Sequence, residues 1–92
     1  MSYDKYLPIG TVVILKNAKK RLMITGFLTT REEEPGVVYD YSGCLYPEGF
    51  ISSERILVFN HNQIEKVFSL GYSDEEEKAF KIRLSALESE LN

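Results

Sequence analysis

Thr11-Val12-Val13-Ile14-Leu15 is a nearly unbroken β-branched run, the pattern of a strand covered on both faces for part of its length. Tyr6-Leu7-Pro8-Ile9-Gly10 leads into it as an entry turn, Pro8 fixing φ and Gly10 relaxing it. Lys16 to Lys20 is short and polar, and Asn17 tolerates positive φ, so a hairpin loop is expected there. Arg21 to Leu28 is the return strand, with Gly26 marking a bulge or bend. Thr29 to Gly36 reads as a charged loop, its acids Glu32, Glu33 and Glu34 solvated. Val37 to Tyr46 is a third strand, in which Val37, Tyr39 and Tyr41 alternate with Val38, Asp40 and Ser42. Gly43 interrupts its regularity. Tyr46-Pro47-Glu48-Gly49 is a turn, Ile56 to Phe59 a fourth strand, Asn60 to Gln63 a turn, and Ile64 to Leu70 a fifth strand stopped at Gly71.

The period then changes from two to 3.6. Phe80, Leu84, Leu87 and Leu91 recur four, three and four residues apart, and no Gly or Pro interrupts the chain after Gly71. Ser73 and Glu76 have capping-box spacing, and Asp74 to Glu77 suit the positive end of a helix dipole. The expected organisation is one domain over residues 1–92, a β-rich body over 6–72 and a helix over 73–91. The fold class is α+β, mainly β: a small curled antiparallel sheet or SH3-like barrel of about five strands with a long C-terminal helix.

Composition narrows the function more than the fold. Ninety-two residues with 43% apolar content give one modest core, about 60% of the unfolded surface being buried in a chain of this size. A net charge of −3 argues against a nucleic-acid partner, because phosphate binding draws on clustered Lys and Arg. Lys16, Lys19, Lys20 and Arg21 form one basic spot, which a hairpin turn accommodates. The single cysteine allows no internal disulfide and suits a reducing cytoplasm. No run approaches the roughly 18 apolar residues of a membrane span, so membrane insertion is not expected. The N-terminal Met1-Ser2-Tyr3-Asp4-Lys5-Tyr6 lacks the apolar stretch of a signal peptide.

Enzymatic chemistry finds no support. Cys44, between Gly43 and Leu45, reads as a small core residue, and His61, between two asparagines, as a turn residue. Neither ligand spacing for a metal nor a glycine-rich phosphate loop is present, so no cofactor is expected. A thiol- or metal-dependent enzyme would need Cys44, His61 and the 32–34 acids together. Two features point to binding instead. Tyr39, Tyr41, Tyr46, Phe50 and Phe59 surround the Pro47 turn, and aromatics are enriched both in cores and at interfaces. The helix, roughly 27 Å long at 1.5 Å per residue, either tilts to bury its stripe or overhangs the sheet. The expected partner-binding residues are Tyr41, Tyr46, Phe50, Leu87 and Leu91, with Phe80 and Leu84 packing on the chain's own sheet. A homodimer through the helix is a further possibility.

Tyr6-Leu7-Pro8-Ile9-Gly10-Thr11-Val12-Val13, Leu22-Met23-Ile24-Thr25-Gly26, Tyr39-Asp40-Tyr41-Ser42-Gly43-Cys44-Leu45-Tyr46-Pro47-Glu48-Gly49, Phe59-Asn60-His61 and Gly71-Tyr72, in that order, carry a resemblance. Over residues 6 to 80 the chain resembles the small domain-of-unknown-function family encoded beside LXG-domain toxins in type VII secretion loci of Gram-positive Firmicutes. The resemblance implies a non-enzymatic accessory protein, acting as chaperone, adaptor or targeting factor for an LXG effector or as a contact to a secretion component. It transfers no functional residues. A nucleic-acid-binding small barrel and an immunity protein to a neighbouring toxin are the alternatives.

Overall fold

A computed structural model describes residues 5–91. Five strands and one helix follow in the order β1 (Val12–Leu15), β2 (Leu22–Arg31), β3 (Glu34–Leu45), β4 (Leu57–Phe59), β5 (Ile64–Ser69) and α1 (Glu75–Leu91). Short 3-10 turns at Ser53–Arg55 and His61–Gln63 flank β4. The architecture is α+β, mainly β.

The sheet is antiparallel throughout, with spatial order β4-β3-β2-β1-β5. The first four strands form a meander and β5 returns to lie beside β1. Strands β4 and β5 are therefore opposite edges of the sheet, yet only Asn60–Gln63 separates them in sequence. Flat strands spaced about 4.8 Å apart would put those edges about 19 Å from each other. Four residues that include a 3-10 turn, rising about 2 Å each, cannot bridge that gap. The sheet must curl to bring its edges close. It stays open, so of the two expected forms the curled sheet is the one adopted and the closed barrel is not.

Three sequence signals acquire a physical cause here. Asn17 has φ 64°, as its turn position requires. The β2–β3 register slips between Ile24 and Gly26, which is the bulge expected at Gly26. At Gly43, a Cβ would come 2.8 Å from the Met23 carbonyl oxygen and 3.1 Å from a ring carbon of Phe59, so only a bare backbone packs there.

The charged loop expected over Thr29–Gly36 is instead the tip of a long hairpin. Strand β2 runs to Arg31, Glu32 and Glu33 make the turn, and Arg31 pairs with Glu34. The Pro35-Gly36 pair lies within β3 where the register shifts, Gly36 at φ 89°. Arg31 is within ion-pair reach of Glu33 and Glu34, and Tyr39 donates its hydroxyl to Glu34 at 2.9 Å. The extension is built from backbone ladder and surface polar contacts, which leaves no apolar alternation to read.

The core gathers Tyr6, Val13, Leu22, Ile24, Tyr41, Phe59 and Leu84. Tyr6 and Tyr41 stack edge-to-face at 6.0 Å, and Tyr41 lies 5.3 Å from Phe59, favourable separations for aromatic pairs. Cys44 is buried as well, 3% exposed, as its position in the strand predicts, though it lies outside that cluster.

The helix starts one turn-residue later than the capping-box spacing implies. Asp74 accepts the Glu77 backbone N–H at 2.9 Å and is the cap, while Ser73 donates its hydroxyl to Glu77. Before the helix, Gly71 crosses the entry segment so closely that a Cβ would overlap the Ile9 carbonyl oxygen. Its N–H donates to the buried Thr11 hydroxyl at 3.0 Å, tying the end of β5 to the start of β1.

Candidate functional site

On α1, the residues turned toward the body are Glu77, Lys81, Leu84, Ser85 and Glu88, at spacings of four, three, one and three. Of these only Leu84 is apolar, 3% exposed and the one buried residue of the helix. The apolar stripe Phe80, Leu84, Leu87, Leu91 shares that leucine but is rotated roughly 70° around the axis, at about 100° per residue. The helix thus docks by a polar face and carries its apolar stripe on one flank. Phe80, Leu87 and Leu91 remain 45%, 48% and 56% exposed. The expectation that Phe80 packs into the sheet is met only in part: its ring meets Phe27 at 5.9 Å and the rest faces solvent.

Polar contacts hold that docking face. Glu88 accepts from Tyr6 Oη at 2.8 Å and pairs with Lys5 Nζ, which also reaches Asp40 at 3.1 Å. Glu77 pairs with Lys81 along the helix. Asp40 in turn accepts the His61 backbone N–H at 2.9 Å. At the centre, Tyr41 Oη lies 2.9 Å from the Lys5 carbonyl, 3.1 Å from the Leu7 backbone nitrogen and 2.8 Å from His61 Nδ1. The arrangement that satisfies all three has Tyr41 donating to the carbonyl and accepting from both nitrogens, which puts a proton on Nδ1.

These surroundings displace the titrations. Burial raises the Tyr6 hydroxyl, reinforced by Glu88, and pushes Tyr41 up to about 12. Burial alone would lower Lys5, but its hydrogen bonds to Glu88 and Asp40 outweigh that and raise it. Burial lowers His61 against the opposing pull of Asp40. The tyrosines and Lys5 hold protons more tightly folded than unfolded. Their contribution is complete below about pH 10, the ordinary tyrosine value, and is lost as pH rises through the folded values. His61 contributes fully above about pH 6.5 and loses its share as pH falls below that. Melting temperature should therefore decline on both sides of a neutral plateau. In a tyrosinate absorbance titration, two of the six tyrosines should ionise only as the fold is lost. All six ionising near pH 10 with the circular dichroism unchanged would contradict this.

Beside the exposed flank of α1 lies an open groove of about 510 Å³, floored and walled by Ile9, Phe27, Leu28, Tyr72, Phe80 and Leu87. Glu77 is the charged residue at its margin. Leu28 forms part of the wall with φ 47°, a left-handed conformation that is unusual for a bulky residue inside a strand. Such backbone costs of order 1–3 kcal/mol and recurs at ligand-binding positions. Here it turns β2 where the helix meets it.

The five residues expected to meet a partner are dispersed. Tyr41 is wholly buried and committed to the core, so it leaves the surface set. Leu87 lines the groove and Leu91 continues the same flank by one turn. Tyr46 and Phe50 lie elsewhere, Tyr46 against Arg21 at the far end of β2, about 20 Å of strand from Phe27 and Leu28. Sequence reasoning missed Ile9, Leu28 and Tyr72, of which Tyr72 is 80% exposed. Ile9 and Tyr72 flank the Gly10 and Gly71 crossing, a signal legible only once those two segments are known to touch.

Among the described residues, no helix is long and apolar enough to cross a membrane, and no group of three or more His, Cys, Asp or Glu is placed to hold a metal. A family model described as a domain of unknown function, DUF4176, matches residues 6–80. No curated protein and no solved structure matches the chain.

Proposed function

The chain belongs to the DUF4176 family, and from that footing we propose that it is a non-enzymatic module that binds a partner protein along the groove beside α1. The observation that carries this reading is the rotated helix: it turns its polar face to the body and leaves Phe80 and Leu87 beside Ile9, Leu28 and Tyr72, with Leu91 exposed one turn further along the flank. Apolar area left in water forgoes roughly 25 cal/mol per Å², so a contiguous apolar flank favours an occupant. An amphipathic segment of a partner suits an open groove of this kind.

The family resemblance supplies the finer part of the proposal. The partner is an LXG effector of a type VII secretion locus, held in the cytoplasm by a chaperone, adaptor or targeting factor. An immunity role differs only in which half of the toxin is gripped.

Co-purification with the LXG effector, divided into its N-terminal LXG half and its toxin half, tests this. Retention of the LXG half is expected. Leu87→Asp should weaken it by at least about 30-fold, equivalent to the roughly 2 kcal/mol of an interface hot spot, without lowering the melting temperature. Capture of the toxin half alone would favour immunity. Self-association that Leu91→Asp abolishes, with neither half retained, would reassign the flank to a homodimer.

A further inference from the structure

The basic spot of the β1–β2 loop is not used by the groove, and the fold gives it a definite setting. Arg21 carries its guanidinium carbon 5.1 Å from the centre of the Tyr46 ring and 5.8 Å from that of Phe68. Lys66 Nζ lies 4.9 Å from the Phe68 ring centre. Lys66, Phe68, Arg21 and Tyr46 therefore form one continuous line from β5, past the start of β2, to the turn after β3. All four are exposed. Lys16, whose backbone N–H donates to the Gln63 carbonyl, and Lys19 and Lys20 extend the same end of the molecule, Lys20 paired with Glu48 at 2.8 Å. Five of the chain's eleven Lys and Arg residues are gathered here although the net charge is −3.

Such a line recognises a particular chemistry. A guanidinium stacked on aromatic rings is already oriented, so its N–H edge meets a carboxylate with less loss of freedom than a lone side chain. Lys66 supplies a second positive point, and the exposed parts of Tyr46 and Phe68 supply apolar contact between the charges. We infer that this cation–aromatic line is a second binding surface, which takes an acidic segment of a partner protein, two or three carboxylates interleaved with an apolar side chain. A single-stranded nucleic acid fits less well. Ring faces that bases would stack on carry Arg21 and Lys66, Glu48 borders the line through its pair with Lys20, and the overall negative charge repels a long polyanion. The surface is independent of the groove reading, because it lies at the other end of β2.

Fluorescence anisotropy decides it, using a labelled peptide Gly-Ser-Glu-Phe-Asp-Glu-Gly, its lysine counterpart and a ten-nucleotide oligothymidine. Saturable binding of the acidic peptide is expected, weakening with salt, with no binding of the lysine peptide. The Arg21→Gln/Lys66→Gln variant should lose at least tenfold, and Lys16→Gln/Lys19→Gln, which removes the same charge away from the rings, less than threefold. Phe68→Ser should lose binding with its charges intact. Melting curves of the two charge variants should match the wild type, since their altered residues are exposed, and Phe68→Ser, which removes a ring only 46% exposed, should stay folded at the assay temperature with a modestly lower melting point. Equal losses in the two charge variants would reduce the surface to diffuse attraction and overturn the inference. Tighter binding of oligothymidine than of the acidic peptide, or no peptide binding at low salt, would overturn it as well.

Discussion

Replacing Tyr41 by alanine is expected to cost at least about 3–5 kcal/mol, the range for a large aromatic removed from a core. A domain of this size holds roughly 0.05–0.15 kcal/mol per residue, so much of the total would be lost. The ring contacts Tyr6, Phe27 and Phe59, and the hydroxyl joins Lys5, Leu7 and His61. Tyr41→Phe separates these two roles. It keeps the packing but strips the partner from the Lys5 carbonyl, the Leu7 N–H and His61, at about 1–3 kcal/mol for buried groups left unsatisfied. Urea melts of the two variants would measure the difference. If Tyr41→Phe matched the wild type, the hydroxyl network would contribute no net stability and the ring alone would matter.

Leu84→Ala is expected to cost about 2–5 kcal/mol, whereas Phe80→Ala should cost only about 1–2 kcal/mol. Size alone predicts the reverse order. Leu84 is the one helix side chain sealed into the core. Phe80 keeps close to half its surface in water and contributes chiefly its pairing with Phe27, worth about 0.5–1.5 kcal/mol. Removing Leu84 leaves a void between α1 and the sheet and weakens the docking of the whole helix. Denaturant midpoints, with helical signal and core fluorescence followed separately, would establish the order. A larger loss from Phe80→Ala than from Leu84→Ala would mean that the apolar stripe, and not the polar face, is turned inward.

What the sequence disclosed, and what it withheld, divides along local and non-local physics. Strand runs, the Asn17 turn, the Gly26 bulge and the helix all follow from neighbouring residues, and each is found close to its expected bounds. The hairpin tip at Arg31–Gly36 was hidden because both its faces are polar, so nothing distinguishes it from a solvated loop. The helix cap moved from Ser73 to Asp74 because both residue types accept N–H groups and only the docked geometry chooses between them. Alternation along β3 separates Tyr39 and Tyr41 from Asp40 and Ser42 but does not say which tyrosine reaches the core, and the structure seals Tyr41 there against the expectation of a partner contact. The rotation of α1 could not be read at all. Periodicity identifies the apolar face of a helix, but whether that face is the docking face depends on Tyr6 and Lys5 meeting Glu88, more than eighty residues away.

The way α1 is attached divides the molecule into two tiers of protection. Its hold on the sheet rests on Leu84, the partial contact of Phe80 and a few polar ties at Glu88, while the long β2–β3 ladder and the β1–β5 pairing bind the body together. Opening of the helix is then a sub-global event with a lower free energy than loss of the sheet, and its amide protons should exchange sooner. An occupant of the groove touches Phe80 and Leu87 on one side and Ile9 and Leu28 on the other, so it binds only while the helix is docked. By mass action each tenfold excess of such a ligand over its Kd adds about 1.4 kcal/mol to that opening. Occupancy of this domain would be written less in a change of shape than in the slowed exchange of a single helix.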